Sequence, residues 1–260
     1  MPRPHLEFID AFDAPPTPVH GGPFAGTSRR LLSEDPDAGA WTGLVACPPD
    51  WAGPLSAAAR PVELFVLRGT IAIDTTAAGP GTYARVPPGA GTPGAASPAG
   101  TLILVLVDAE RAPEPSAAAR VIDTSAMPWT GVPLDGPVPQ GIVVKRLHAD
   151  AATGSTTWIS AVVPGWRESR AEVHDTIEEC FMLRGDILLG ARGVMGPGSY
   201  FWRPPCVKHG PMCSLNGGVF FFRSIGGSLS TRHVAVPDWE ARVARYAATQ
   251  PYFPRTDVDR

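Results

Sequence analysis

The sequence predicts an all-β protein of two tandem barrels followed by one short C-terminal helix. Three observations carry that prediction: short apolar runs punctuated by glycine and proline, an internal repeat, and a single segment of helical periodicity near the C-terminal end. The apolar runs, roughly five to eight residues rich in Val, Ile, Leu and Phe, have strand length. The 30 Pro and 28 Gly among 260 residues supply the turns between them.

The repeat organises the rest. LFVLRGTIAI at 64–73 resembles CFMLRGDILL at 180–189, an offset of 116, and GPGTYARVPPG at 79–89 aligns with GPGSYFWRPPC at 196–206, an offset of 117. Upstream, Trp41 with TGLVA is matched to Trp158 with ISAVV. A duplication on this scale predicts two similar domains, 1–125 and 126–260. Between them, residues 109–140 hold AERAPEPSAAAR and MPWTGVPLDGPVPQ, a proline-rich linker with an edge strand at Arg120–Asp123. After Pro237, Trp239, Val243 and Tyr246 recur at helical intervals, and proline suits the first turn, so a terminal helix is expected to pack on a barrel or on a partner subunit.

Composition narrows the function classes. At 44% hydrophobic and 18% charged, the chain is too apolar for disorder. A net charge of −3 offers no basic stripe for nucleic acid, which leaves a small-molecule substrate or another protein as the expected partner. The longest apolar run, Thr101 to Val107, is far too short to cross a bilayer, and MPRPHLEFID lacks a signal-peptide core, so a cytoplasmic protein without membrane contact is expected. Cys47, Cys180, Cys206 and Cys213 lack CxxC spacing and are expected as free thiols.

Chemistry concentrates between 172 and 209. Glu172 and His174 share a strand face, but His174 and Glu178 would lie roughly 13 Å apart on one straight strand, too far to share an ion. The chain must turn between them. Asp175 and Thr176 are expected to supply the turn, bringing Glu178 back across a hairpin, with His209 arriving from a later strand after Pro204 and Pro205. Two imidazoles and two carboxylates form a hard N/O donor set suited to one divalent ion per chain, Fe(II) first, with Mn, Ni or Zn as alternatives. Glu172 is expected either as a fourth ligand or as a catalytic general base beside a His174–Glu178–His209 triad.

This layout resembles the cupin superfamily. The first cupin motif, G(X)5HXH(X)3,4E(X)6G, is matched by Glu172, His174, Glu178 and Gly185, with glutamate in place of the first histidine. The second, G(X)5PXG(X)2H(X)3N, is matched by Gly198, Pro204 and His209, with Cys206 in place of the glycine and Cys213 in place of the asparagine. The resemblance covers most of both halves and implies a bicupin, two jelly-roll (double-stranded β-helix) barrels. KRLHADAATG at 145–154 is similar to the ChrR-like cupins. In the first half the ligand positions fall on Ala58, Val62 and Thr92, and Glu63 is one place off register, facing the other way. That barrel is expected to be metal-free, supporting the second by packing or by closing its mouth, or holding a non-metal ligand.

Alternation places Cys180 and Met182 on the face of Glu178, with Trp202, Tyr200 and Met212 as further wall candidates and Phe181 and Phe201 as inner or outer packing. Such a lining suits an aromatic or polyketide-like substrate. Arg203, Lys208 and Arg167 are candidates for attracting an anionic group, and Glu179 and Asp175 are expected at solvent or in a turn. The leading expectation is a dioxygenase-like oxidoreductase. Its rivals are a redox-neutral isomerase or cyclase and a zinc- or ligand-binding sensor of ChrR-like type; clustered carboxylates argue against a structural seed-storage role. Edge strands make a homodimer the expected assembly.

Overall fold

The computed structural model describes residues 3–56, 59–90, 93–111, 118–131 and 140–249. Almost every regular element is a strand, and Trp239–Thr249 is an α-helix that buries Trp239, Val243 and Tyr246 against Leu188 and Cys213. No helix among the described residues is long and apolar enough to cross a membrane. All four cysteines are unpaired, with only Cys206 exposed.

The chain divides into two compact units, one of Met1–Arg3 and Ala11–Met127, the other of Pro4–Asp10 and Pro128–Arg260. In the first, the main sheet runs in the order Arg120–Asp123, Thr82–Val86, Val62–Gly69, Gly94–Val107, Ala40–Pro54, Ser28–Asp35, Pro16–Pro18. In the second, the order is Leu6–Asp10, Ser199–Arg203, Ile177–Gly185, Gly218–Ile225, Thr156–Val162, Ile142–Ala149, Thr130–Gly131. The five central strands correspond one to one. The flanking strands reveal an exchange: Leu6–Asp10, from the chain's beginning, pairs with Ser199–Arg203 of the second unit, whereas Arg120–Asp123, just before the second half, pairs with Thr82–Val86 of the first. A domain drawn as 1–125 therefore differs from the observed unit by residues 4–10, which sheet pairing rather than chain order assigns to the second unit, and by residues 126–127 at its end.

Strand alternation builds each core. Val62, Leu64 and Val66 enter the first core with Val45, Ile103 and Val105, and Cys180 and Met182 enter the second with Ile187, Phe201 and Phe220. Register also corrects one alignment. Trp158 pairs with Phe222, and its counterpart in the first unit, opposite Val105, is Gly43 rather than Trp41.

Candidate metal centre

Glu172 occupies the middle of a cross-strand row. Its strand, Ala171–Val173, pairs antiparallel with Arg232–Val234, setting Glu172 opposite His233. On the other side Glu172 and His209 exchange both backbone hydrogen bonds, at 2.8 and 3.0 Å. Directly opposed residues project to one face, so His209, Glu172 and His233 stand side by side. His174 follows two residues after Glu172, and its carbonyl accepts the Cys206 N–H at 2.8 Å. That N–H is presented by a left-handed backbone at Cys206 (φ 68°), the conformation Gly89 adopts at the corresponding place in the first unit (φ 86°).

The expected hairpin does not form. The chain bends at Asp175 and Thr176, but Ala171–Val173 and Ile177–Gly185 belong to different sheets. Glu178 thus reaches the other donors across the space between two sheets. His174 Nε2 lies 3.7 Å from Glu172 Oε2 and 3.8 Å from Glu178 Oε1; His209 Nε2 lies 3.9 Å from Glu172 Oε2 and 3.6 Å from Glu178 Oε2. The two rings stand 4.9 Å apart between centroids.

Both imidazoles turn the same edge inward. His174 Nδ1 lies 3.0 Å from the Ser230 carbonyl and His209 Nδ1 lies 3.3 Å from the Val207 carbonyl, so each Nδ1 donates its proton outward. Each Nε2 is left with a free lone pair facing the carboxylates. The Nε2 of His174 is buried and has no hydrogen-bond partner among the described residues. An orphaned buried acceptor costs about 1–3 kcal/mol unless something binds it, and a cation among four such donors satisfies it. Donors about 2.1 Å from a shared centre lie roughly 3.0–3.4 Å from one another, somewhat closer than the 3.6–3.9 Å separations of these carboxylate–imidazole pairs. The chemistry of the donors therefore fits a divalent ion.

The four donors are not equivalent. Glu172, His174 and His209 form the compact group, with one ligand atom each within 4.8 Å of the others. Glu178 splits its two oxygens between the imidazoles and accepts a 2.9 Å bond from Arg203 Nη1. Burial alone would raise its pKa, but His209, His174 and Arg203 overcome this and hold it down at about 2. Glu172 goes the other way: burial, reinforced by the Glu178 and Glu168 carboxylates against the pull of His174, lifts it to about 7. Burial drives His209 down to about 4, so it is neutral at pH 7.

Wall candidates separate by face. Cys180 and Met182 point into the barrel with Phe201 and Phe220, and Met212 packs against them. Tyr200 and Trp202 do not: they oppose Phe181 and Glu179 on the other face of the sheet, and Tyr200 donates 2.7 Å to Glu179. Glu179 is correspondingly buried rather than solvated, with Arg223 at 3.3 Å as a second partner. The first unit repeats this pair, Tyr83 donating 2.7 Å to Glu63. Arg203 is no free anion trap, being 2% exposed and bound through Nη2 to Glu7 at 3.0 Å. Lys208 and Arg167 are exposed, and Asp175 sits at the surface beside Arg232. In the first unit Val62 is buried in the core; Ala58 and Thr92 lie outside the described residues.

Three contributors escaped the sequence reading. His233 Nε2 lies 3.5 Å from Glu172 Oε1 and 3.7 Å from Glu168 Oε2, so Glu172 bridges two groups, one through each oxygen. Glu168 is in turn gripped by Arg170. Glu7 holds Arg203 from nearly two hundred residues away. None carries a motif; the alternating polar segment TRHV was the one local signal for His233.

Residues 15–231 match the family described as Domain of unknown function (DUF4437). The chain belongs to that family. No curated protein matches this DUF4437 chain. Among solved structures it is similar to a Nostoc punctiforme protein provisionally described as a dioxygenase, with 22% identity, TM-score 0.76 and coverage of 91% of this chain and 88% of that one. It is also similar to oxalate decarboxylase from Lactobacillus farciminis, with 11% identity, TM-score 0.58 and coverage of 95% and 96%. A cupin 2 conserved barrel domain protein from Leptotrichia buccalis has 12% identity, TM-score 0.56 and coverage of 85% and 97%. The DUF4437 chain thus has the cupin fold, an all-β jelly roll present twice.

Proposed function

We propose that the second barrel binds one divalent ion on His174, His209 and Glu172, with Glu178 completing the set, and that the protein is an enzyme acting on a small organic molecule, an oxygenase with Fe(II) as first choice. The observation that carries this reading is the buried, unpartnered Nε2 of His174, aimed at two carboxylates while Nδ1 is anchored to a backbone carbonyl. Such an ion would supply Lewis acidity toward a substrate oxygen and, if redox-active, electrons for dioxygen chemistry. Around it Glu178 stays anionic and offsets the dication, and Arg203 fixes that carboxylate in place. Cys180, Met182, Phe201 and Phe220 keep the interior dry, a lining compatible with an aromatic or polyketide-like body. The similarity to a protein provisionally described as a dioxygenase is in keeping with this reading.

A second reading, a redox-neutral isomerase or cyclase, is favoured by Glu172. In the metal-free protein burial lifts its pKa to about 7, and His233 lies 3.5 Å from its Oε1; as a carboxylate beside the ion rather than bound to it, Glu172 is placed to accept a proton and return it.

Elemental analysis of protein purified without added metal tests the site. Wild type is expected to carry roughly one divalent ion per chain, His174→Ala and His209→Ala to lose it, and Thr92→Ala to keep it. Equal occupancy in all four would contradict the assignment. Oxygen consumption during substrate turnover by the Fe(II)-loaded protein separates the two readings: uptake matching product supports the oxygenase, and product without uptake supports the isomerase.

A further inference from the structure

The first barrel contains a cavity of about 250 Å³, lined by Val19, Phe24, Trp41, Val45, Val62 and Val107, with Arg29 and Arg60 as its charged groups. Val62 and Val107 sit where the second barrel has Glu178 and Ser224, since Val62 pairs with Val86 and Val107 just as Glu178 pairs with Arg203 and Ser224. The metal-ligand position of one barrel is thus an apolar wall in the other.

The two arginines differ. Arg60 is committed, donating through Nη1 to the Ala38 and Gly39 carbonyls at 2.8 Å and through Nη2 to Glu110 at 3.2 Å. Arg29 lies 4.8 Å above the Trp41 ring; its Nε is shielded from solvent and has no hydrogen-bond partner among the described residues. Gly43 makes that stacking possible, because a Cβ there would meet Arg29 Cγ and Trp41 Cζ3 at 3.4 Å and the Arg30 carbonyl at 2.6 Å. The second barrel fills the corresponding place with Trp158, stacked on Phe222.

We propose that this cavity binds a small organic carboxylate whose apolar body is about the size of a phenyl ring. The Arg29 guanidinium, its Nε unpaired among the described residues, offers a planar fork for one carboxylate, and valine, phenylalanine and tryptophan walls take the apolar remainder. At about 250 Å³ the space falls below the roughly 300–1,000 Å³ typical of drug-sized ligands, which sets the upper limit of size. Every residue lining the cavity belongs to the first unit, and none is a candidate metal ligand.

The test is calorimetric titration of the full-length, chelator-treated protein with benzoate, benzyl alcohol and inorganic phosphate. Benzoate is expected to bind, with benzyl alcohol and phosphate each at least about tenfold weaker, since one lacks the charge and the other the apolar body. Arg29→Met is expected to weaken benzoate about tenfold or more and His209→Ala to leave it unchanged. Val19→Trp, at the rim, provides an independent block that leaves the arginine in place. Absence of benzoate binding at about 10 mM, binding unaltered by Arg29→Met and Val19→Trp, or binding lost in His209→Ala would each overturn the proposal.

Discussion

Glu172 presents one oxygen to His174 and His209 and the other to His233, and its protonation follows from that position. Because its folded pKa is raised from 4.5 to about 7, the proton-bound form stabilises the metal-free fold fully below 4.5, and that contribution is lost as pH rises toward 7. His209, lowered from 6.5 to about 4, has the opposite sign: its contribution is present above 6.5 and is lost as pH falls toward 4. The two contributions therefore oppose one another where their windows overlap. In Glu172→Gln the first effect disappears, so its melting temperature relative to wild type is expected to climb between pH 5 and pH 8, by the equivalent of up to about 3 kcal/mol. A constant difference across that range would refute the account.

Cys206 offers a second residue-scale prediction. Left-handed backbone costs a non-glycine residue about 1–2 kcal/mol, whereas glycine adds about 0.4–1 kcal/mol of unfolded-state entropy, so Cys206→Gly is expected to gain about 0.5 kcal/mol in denaturant unfolding. The clustering of Glu172, His174, Glu178 and His209 was legible because imidazoles and carboxylates at those spacings are uncommon, and because Glu172 and His174 necessarily share a face. The placement of Tyr200 and Trp202 was not: alternation says that 200 and 202 lie together, but only the pairing with Glu179 and Phe181 decides which way they point.

At the scale of elements, the repeated Leu-Arg-Gly marks a turn that no side chain fits. A Cβ on Gly185 (φ 79°) would lie 1.9 Å from the Gly217 carbonyl, and one on Gly69 (φ 77°) 2.1 Å from that of Gly100. Gly185→Ala is expected to cost at least about 2 kcal/mol in chemical denaturation, while Gly79→Ala, with open space around it, is expected to be nearly neutral. The strand Arg120–Asp123 and the helix on Trp239, Val243 and Tyr246 were readable from local pattern alone. The passage from Ala171–Val173 to Ile177–Gly185 was not, because a bend between two sheets and a hairpin ask the same turn residues of the sequence.

At the scale of the molecule, the duplication was plain in sequence but the exchange of flanking strands was hidden, since strands of four or five residues carry too little pattern to name their partner. The exchange ties the candidate metal centre to Leu6–Asp10: Glu7, on that strand, bonds Arg203, which bonds Glu178. Glu7→Gln is expected to leave the ion in place but to loosen it, read as a several-fold weaker affinity in a competition titration with a chelator.

The interleaving also decides how the gene could be divided. A fragment starting at Pro128 would emerge with its Ser199–Arg203 border unzipped and Arg203 stripped of a counterion, a sticky edge prone to precipitate. Supplying a synthetic peptide of residues 4–10 in trans should rescue its solubility. Equally soluble fragments with and without the peptide would show that the border strand is dispensable.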